Sequence, residues 1–207
     1  MAESLPAPAR RSTYRQLQAQ QTRDRIADAA RDLFATYGYG STSMSAIAAE
    51  AGVADRTVYS AFGAKRDILS YIGDRWLVRA EAREKAGVAV GEPVPRKRLM
   101  AAAHWLRALY EAGFDVVSIL ESAADEGDET RSVCRAKVEE RNRGMDAIIG
   151  SLDGKLRRPT PEAQAIFRAY AAPGVYRELV VESGWTPDQF EEWVAEALVR
   201  QLLGPSR

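Results

Sequence analysis

Apolar residues recur every three or four positions through most of this chain, the spacing that collects side chains on one face of an α-helix. The first such segment runs to Tyr37 and is closed by Gly38 and Gly40. Its apolar face consists of Ile26, Ala30, Leu33, Phe34 and Tyr37. No stretch shows the strict alternation that is typical of a half-buried strand. The pattern therefore predicts an all-α protein.

Residues 42–69 are expected to form two short helices joined by a tight turn, with a third helix following directly. The first helix ends at Gly52, where a helix commonly stops and the backbone often needs a positive φ. The second begins near Asp55, and Val58 and Phe62 face its inner side. A plain helical hairpin has the same features, so spacing alone leaves both interpretations open.

The alternative to a plain hairpin is a helix-turn-helix, whose second helix enters the DNA major groove. Arg56 suits a guanine edge, and Thr57 and Ser60 suit a base or a phosphate. Tyr59 can offer its hydroxyl to a phosphate oxygen. Lys65, at the start of the next helix, adds a cation to a helix N-terminus, which favours an anion such as a DNA phosphate.

The run IAAEAGVADRTVYSAFGAKRDIL, Ile47 to Leu69, resembles the DNA-binding signature of the TetR family of bacterial repressors. With its preceding helix, the resemblance covers residues 22 to 72. The positions that match are Ile47, Ala48, Ala51, Gly52, Val53, Thr57, Tyr59, Phe62, Lys65 and Leu69. The expected DNA contacts are Thr42, Ser43, Arg56, Thr57, Tyr59, Ser60 and Lys65.

This resemblance implies an N-terminal three-helix DNA-binding domain followed by a larger helical domain that binds a ligand and dimerises. We expect a flexible basic tail over residues 1–21, the DNA-binding domain over 22–66 and the larger domain over 67–207. The tail contains Arg10, Arg11 and Arg15, and it is either a solvated arm or an arm laid along DNA or into its minor groove.

The sequence departs from the family pattern at three places. Ala54 stands where a serine often caps the second helix, so that cap must come from Asp55 or from water. Arg56 stands where glycine is common, which indicates an additional DNA contact. Ser60 and Ala61 replace bulkier residues, which indicates fewer phosphate contacts.

The remaining sequence predicts further helices. One long helix is expected to follow Lys65 as far as about residue 86, with a loop over residues 87–95. Thr160-Pro161 and Thr186-Pro187 are start signals of the last two helices, and Pro173-Gly174 should break the first of these. By resemblance, the two form the interface of a homodimer. The expected interface residues are Ile166, Phe167, Tyr170, Phe190, Trp193 and Val194.

A ligand pocket is expected on the helix that begins near Arg96. His104, Trp105, Tyr110 and Phe114 combine polar groups with flat apolar walls, as pockets do. The alternative is that these residues are ordinary core. The predicted effector is a small apolar or aromatic molecule with one or two polar groups. Cys134 is expected to fill the core, with redox sensing as the alternative.

Composition agrees with a globular protein, since 46% of residues are hydrophobic and 28% are charged. Residues 1–66 hold nine Lys/Arg and six Asp/Glu, which gives +3 and leaves −3 for the remainder of a chain with no net charge. That distribution agrees with a basic N-terminal domain that binds DNA. We expect no membrane partner and a cytoplasmic location, because no long apolar run or signal peptide is evident.

Catalytic chemistry is not expected, and neither a cofactor nor a metal is predicted. The chain has one histidine and one cysteine and no glycine-rich nucleotide loop. The sequence predicts a DNA-binding transcriptional regulator, a repressor that a small molecule releases from a palindromic operator. Two alternatives remain, an activator or architectural DNA binder on the same fold and a helical carrier or interaction protein with a vestigial helix-turn-helix.

Overall fold

A computed structural model describes the backbone of residues 9–203 and the side chains of residues 14–203. These residues form α-helices and one π-helical segment, with no strand among them, so the all-α prediction is confirmed. The helices are α1 Ala9–Tyr37, α2 Met44–Glu50, α3 Asp55–Phe62, α4 Lys65–Arg79, α5 Ala82–Gly91, α6 Pro95–Ala123, α7 Asp128–Gly150, α8 Thr160–Tyr170, α9 Pro173–Tyr176 and α10 Pro187–Leu202. No helix in the described range is both long and apolar enough to cross a membrane.

Two compact units divide the chain, Met1–Ile72 and Gly73–Arg207. The division lies inside α4, and the expected boundary after Arg66 lies in the same helix, nearer its start. In the first unit, α1, α2, α3 and the start of α4 enclose a small apolar core. The largest side chains of that core are Ile26, Phe34, Ile47, Val58, Phe62, Ile68 and Leu69.

Helix α1 extends further toward the N-terminus than the sequence predicted. The expected basic tail covered residues 1–21, but residues 9–21 belong to the helix. No proline or glycine occurs between Ala9 and Tyr37, so nothing in that stretch interrupts the helix. Residues 1–8 of the expected tail, and the side chains of Arg10 and Arg11, lie outside the described residues.

The long helix expected after Lys65 is in fact two helices, and the predicted loop over residues 87–95 is wrong in its first half. Helix α4 ends at Arg79, Glu81 adopts a left-handed conformation with φ 51°, and α5 continues to Gly91. The indole nitrogen of Trp105 donates a 2.7 Å hydrogen bond to the carbonyl oxygen of Ala82. This tertiary bond holds the first turn of α5 after the bend.

Helices α5, α6, α7 and α10 build most of the second unit. Trp76, on the part of α4 that belongs to this unit, is buried and donates a 2.7 Å bond to the carbonyl oxygen of Leu109 on α6. Helix α6 leaves the helical conformation at Gly113 and resumes afterwards. The buried aromatic residues Tyr110, Tyr176 and Phe190 pack edge to face or tilted against each other, with ring centroids 4.5–6.1 Å apart.

The last part of the chain follows the predicted start and stop signals only partly. The expected break at Pro173 is present, because α8 ends at Tyr170 and a π-helical segment, Arg177–Glu182, follows α9. Thr186 and Gln189 form the predicted capping box at the start of α10. Thr160 is not an N-cap, since its hydroxyl donates to the carboxylate of Asp153 at 2.6 Å instead.

Candidate functional site

The outer face of α3 carries polar side chains, while its inner face is part of the core. Val58 and Phe62 are buried, as predicted. Arg56, Tyr59 and Ser60 are exposed on the opposite face, and Tyr59 has 53% of its surface accessible. A tyrosine this exposed adds little to the core, so its ring and hydroxyl are available to a partner. Thr57 is half-buried beside this face.

Helix α1 contributes to the same surface, which the sequence analysis missed. A cleft of about 650 Å³ separates the early turns of α1 from α3. It is lined by Gln18, Ala19, Thr22, Arg23, Ala54, Arg56, Thr57, Ser60 and Ala61. The sequence feature that indicates this contribution is the uninterrupted helical pattern before residue 22. The sequence analysis places that stretch in the tail.

Arg23 of α1 holds the end of α3 in place. Its guanidinium lies 4.2 Å from the ring centre of Phe62 and 5.0 Å from that of Tyr71, and it donates to the carbonyl oxygen of Ala61. The hydroxyl of Tyr71 in turn donates to Asp24 at 2.7 Å. These contacts orient α3 through both packing and cation–π attraction. No local sequence pattern could have predicted them, because the partners are 38 or more residues apart.

The two helices of the motif are also tied to each other. The N-cap position of α3 is Ala54, which makes no side-chain cap, and Asp55 lies in the first helical turn. The carboxylate of Asp55 accepts a hydrogen bond from the hydroxyl of Ser45 on α2. Asp55 therefore joins α2 to α3 and does not supply the side-chain cap that was expected as an alternative to water. A carboxylate in this turn also favours the positive end of the helix dipole.

Thr42 and Ser43, expected to contact DNA, have structural roles. The side chain of Thr42 is buried and donates a 2.8 Å hydrogen bond to the carbonyl oxygen of Gly38. A buried hydroxyl in this position cannot reach a DNA partner, so the prediction for Thr42 is wrong. Ser43 is the N-cap of α2 and accepts a 3.0 Å bond from the backbone N–H of Ala46. Ser43 is exposed, so its cap leaves the hydroxyl proton accessible.

Lys65 is also occupied within the first unit. Its ammonium group donates to the carbonyl oxygens of Tyr39 at 2.6 Å and Thr42 at 2.8 Å, and it lies 4.2 Å from the ring centre of Tyr39. The expected phosphate contact would have to compete with these bonds. The structure therefore gives Lys65 a different role, which is to clamp the loop between α1 and α2 against the start of α4.

A family model described as bacterial regulatory proteins of the tetR family matches residues 26–72. That stretch contains the helix-turn-helix with its exposed α3 face. Over these residues the chain has the DNA-binding domain of the TetR family. This match supports a DNA-binding transcriptional regulator, and α3 is the second helix of the matched motif.

Solved structures share the fold over nearly the whole chain. The fatty acid degradation regulator FadR from Bacillus halodurans is 19% identical, with a TM-score of 0.72 over 86% of this chain and 95% of that one. FadR from Bacillus subtilis, solved in complex with stearoyl-CoA, is 19% identical, with a TM-score of 0.71 over 85% and 97%. A Saccharomonospora viridis regulator in complex with choline is 19% identical, with a TM-score of 0.69 over 89% and 99%. No curated protein matches the sequence.

His104, predicted to line a pocket, is an exposed residue and belongs to the lining of neither large cleft of the second unit. Its side chain is 54% exposed, and its Nδ1 lies 3.2 Å from the carboxylate of Glu191 on α10. Arg107, one turn further along α6, pairs with Glu111 at 2.8 Å and with Glu191 at 3.1 Å. These charges raise the pKa of Arg107 above its already high value. His104 belongs to a surface ion-pair network between α6 and α10.

The three aromatic residues predicted for the pocket are packed in different ways. Tyr110 is buried and donates a 2.6 Å bond to the carbonyl oxygen of Ala171, and Phe114 stacks on Tyr110 and Tyr176 at 5.6 and 4.9 Å. Tyr110 is therefore a core residue, which is the alternative that the sequence left open, and Phe114 is half-buried beside it. Burial raises the pKa of the Tyr110 phenol. Trp105 alone reaches a cavity.

Two of the clefts in the described part of the second unit are large. The first, of about 730 Å³, has Trp105 and Gly144 on one wall and four carboxylates in its lining, from Asp74, Glu81, Glu84 and Glu140. The second, of about 560 Å³, has a largely apolar lining from α4, α6 and α7. That lining consists of Trp76, Val117, Leu120, Glu121, Ala124, Arg131, Cys134, Arg135, Val138, Arg141 and Pro173. The sequence analysis assigned none of these residues to a pocket. Cys134, which was expected to fill the core, is buried, and burial raises the pKa of its thiol.

The expected dimer-interface residues fall into two groups. Phe167, Phe190 and Val194 are fully buried inside a single chain, so they cannot also face a second subunit and that part of the prediction is wrong. The apolar faces of these helices are broad, so that one part of each face lies in the core and the other part lies at the surface. Ile166, Tyr170 and Trp193 form that edge and are half-exposed.

Proposed function

We propose that this TetR-family regulator is a homodimeric repressor that binds a palindromic operator and is released from it by a small molecule. The observation that carries the DNA part is the exposed α3 face, where Arg56, Tyr59 and Ser60 project from a helix braced by Arg23. Arg56 can form a bidentate contact to a guanine, and Tyr59 can bond a phosphate. Because its target is chromosomal DNA, the protein acts in the cytoplasm.

Dimerisation is supported by an apolar surface at the end of the chain. The half-exposed rings of Tyr170 and Trp193 lie edge to face at 5.5 Å, and Trp185 lies 6.3 Å from Trp193. Ile166 is half-exposed one helical turn before Tyr170 on α8, and Val181 is exposed on the π-helical segment. Contiguous aromatic and aliphatic groups of this kind mark interfaces on soluble proteins. A symmetric dimer would then present two copies of α3, and successive major grooves require them to be about 34–36 Å apart.

Ligand release is supported by the position of the apolar cleft. One of its walls is Trp76, which lies near the end of α4. Helix α4 is uninterrupted from Lys65 to Arg79. A molecule that displaces Trp76 would therefore also shift the start of this helix. Couplings of this type change affinity by roughly 1–3 kcal/mol, which is sufficient to lower operator occupancy. Two structural neighbours were solved in complex with stearoyl-CoA and with choline, which supports a small-molecule ligand for this chain.

Selection of bound sequences from a random DNA pool tests the proposal. We expect enrichment of an inverted repeat whose half-site centres are one helical turn apart. The same selection with Arg56→Ala should lose preference at one position in each half-site. Enrichment of a single, unrepeated site would contradict the dimeric operator. A reporter fused to the selected operator then separates repression from activation, because deletion of a repressor raises reporter output.

A further inference from the structure

Arg141 is a buried charge without an anionic partner. Only 8% of the residue is exposed. Among the described residues, its guanidinium has hydrogen bonds only to the neutral amide oxygen of the adjacent Asn142, at 3.4 Å from Nε and 3.2 Å from one Nη. No carboxylate in the described part of the chain lies within ion-pair distance of it. A buried guanidinium is costly unless an anion and further hydrogen bonds compensate for the lost water.

The other buried cations of the second unit are compensated. Lys137 is equally buried and pairs with the carboxylate of Asp74. Arg98 donates to the carbonyl oxygens of Glu92, at 2.7 Å, and Ser151, at 2.6 Å. Compared with these two residues, Arg141 has neither a carboxylate nor a main-chain carbonyl acceptor among the described residues. The missing acceptor can come from a ligand, because Arg141 lines both of the clefts described above.

The apolar cleft is the one that suits an anion. Its other charged side chains are already paired, Arg131 with Asp128 at 2.7 Å, Arg135 with Glu139 at 3.2 Å and Glu121 with Arg177 at 3.0 Å. The lining of the cleft beside Trp105 has four carboxylates against the three guanidinium groups of Arg83, Arg141 and Arg143, so it offers an anion no excess of positive charge. In the apolar cleft, the only charge left to be matched is the positive charge of Arg141.

The side chains at the floor of this cleft indicate the chemistry of the part of the ligand that does not contact Arg141. Trp76, Val117, Leu120 and Cys134 are all buried and present apolar surface toward the cleft. A volume of about 560 Å³ lies within the range of small-molecule sites.

We propose that the apolar cleft binds a monocarboxylate with an apolar body, whose carboxylate forms a bidentate pair with the guanidinium of Arg141. The planar fork of arginine matches the two oxygens of a carboxylate in this arrangement. The claim that this molecule binds depends only on the residues of the cleft. The claim that this molecule is the effector rests on the proposed function.

Isothermal titration of the full chain in the absence of DNA tests the binding claim. The probes are decanoate with 1-decanol, and 2-naphthoate with 2-naphthylmethanol, so that each carboxylate has a neutral partner of the same shape. We expect each carboxylate that binds the wild type to bind more tightly than its alcohol. Arg141→Met should weaken carboxylate binding roughly tenfold to a hundredfold and leave alcohol binding within about twofold. The matched control is Arg135→Met, which removes an exposed and paired guanidinium from the same cleft and should keep the preference.

Stability measurements on the variants without ligand distinguish a binding role of Arg141 from a purely structural one. Replacing an unpaired buried charge by an apolar group of similar length should preserve the folded state or raise its melting temperature. Arg141→Lys, which keeps the charge and loses the fork, should bind the carboxylates with intermediate affinity. A marked loss of stability in both variants without any ligand would assign the guanidinium to the core and overturn the proposal. Failure of both carboxylates to bind, or an unchanged preference in Arg141→Met, would also overturn it.

Operator release is measured separately with the selected DNA. Carboxylate binding without release would leave the Arg141 site in place and reject its role as the effector site. Release that is lost in Arg141→Met but retained in Arg135→Met supports both claims. Release that persists in Arg141→Met would show that the effector acts at another place.

Discussion

The ammonium nitrogen of Lys65 lies 2.6 Å from the carbonyl oxygen of Tyr39 and 4.2 Å from the centre of the ring of the same residue. A second bond, to the carbonyl oxygen of Thr42, makes this side chain the link between the loop after α1 and the start of α4. The ammonium group thereby supplies a hydrogen-bond donor to two carbonyl oxygens of the loop that have no partner within a helix. A residue that sequence resemblance assigns to DNA is thus a structural clamp of the DNA-binding unit.

Lys65→Met should lower the free energy of unfolding by about 2–3 kcal/mol, because a charge-assisted donor is removed from two carbonyl groups. The measurement is urea denaturation followed by circular dichroism. Arg25→Met is the control, since Arg25 is exposed on α1 and its replacement should change stability by less than about 0.5 kcal/mol. A Lys65→Met protein of unchanged stability that no longer binds DNA would restore the phosphate contact as the main role of Lys65.

Arg56→Ala and Tyr59→Ala should affect DNA binding differently. Loss of Arg56 should cost about 1–3 kcal/mol on the selected operator and relax preference at one base pair. Loss of the Tyr59 hydroxyl and ring should weaken binding to all sequences to a similar extent, because a phosphate contact carries no sequence information. Fluorescence anisotropy with the operator and with scrambled DNA distinguishes the two. Equal losses on both DNAs for Arg56→Ala would exclude a base contact.

Trp193→Glu should shift the protein from dimer to monomer. The ring of Trp193 is half-exposed beside Tyr170, and a carboxylate there would be desolvated in the proposed interface. Sedimentation velocity at micromolar concentration gives the oligomeric state, and circular dichroism confirms that the variant is folded. Met100→Glu, at another exposed apolar residue, should leave the dimer intact. A wild-type monomer at that concentration would reject the dimer.

Gly144→Ala should destabilise the second unit by about 1–3 kcal/mol. An added Cβ would lie 2.8 Å from the Cζ2 atom of Trp105, so the indole would have to move and strain its bond to Ala82. Gly150→Ala on the same helix is the matched control, because the nearest atom to its Cβ would be 3.8 Å away. That change should be neutral or stabilising by up to about 1 kcal/mol, since alanine favours a helix. Equal melting temperatures for the two variants would show that Trp105 adjusts freely.

The stability of the protein should fall at alkaline pH. Burial raises the pKa of Tyr110 in the folded state above its ordinary value of 10.0, so its contribution is complete below about pH 10 and is lost as the pH rises above it. Tyr110→Phe should cost about 1–2 kcal/mol at pH near 8, because the carbonyl oxygen of Ala171 loses its 2.6 Å partner. The same variant should lose less stability than wild type between about pH 10 and pH 11. Tyr37→Phe, at an exposed ring, should follow the wild-type curve.

The sequence by itself determined the helical class, the helix-turn-helix and the inward face of α3. These features depend on residues a few positions apart, such as Val58 with Phe62 and the capping pair Thr186 with Gln189, and both pairs are present as predicted. Their physical basis is local, because helical periodicity and capping act within one or two turns. The family resemblance also lies within this contiguous stretch.

Tertiary structure alone decided which polar and aromatic side chains are free to act. A hydroxyl such as that of Thr42, or an ammonium such as that of Lys65, appears available until a distant carbonyl group is found to accept from it. His104 and Trp105 are adjacent in sequence, yet one is exposed and the other is buried, because successive residues of a helix point about 100° apart. Arg141 stands out only when burial and ion pairing are known together, since both depend on residues that the chain brings together in space.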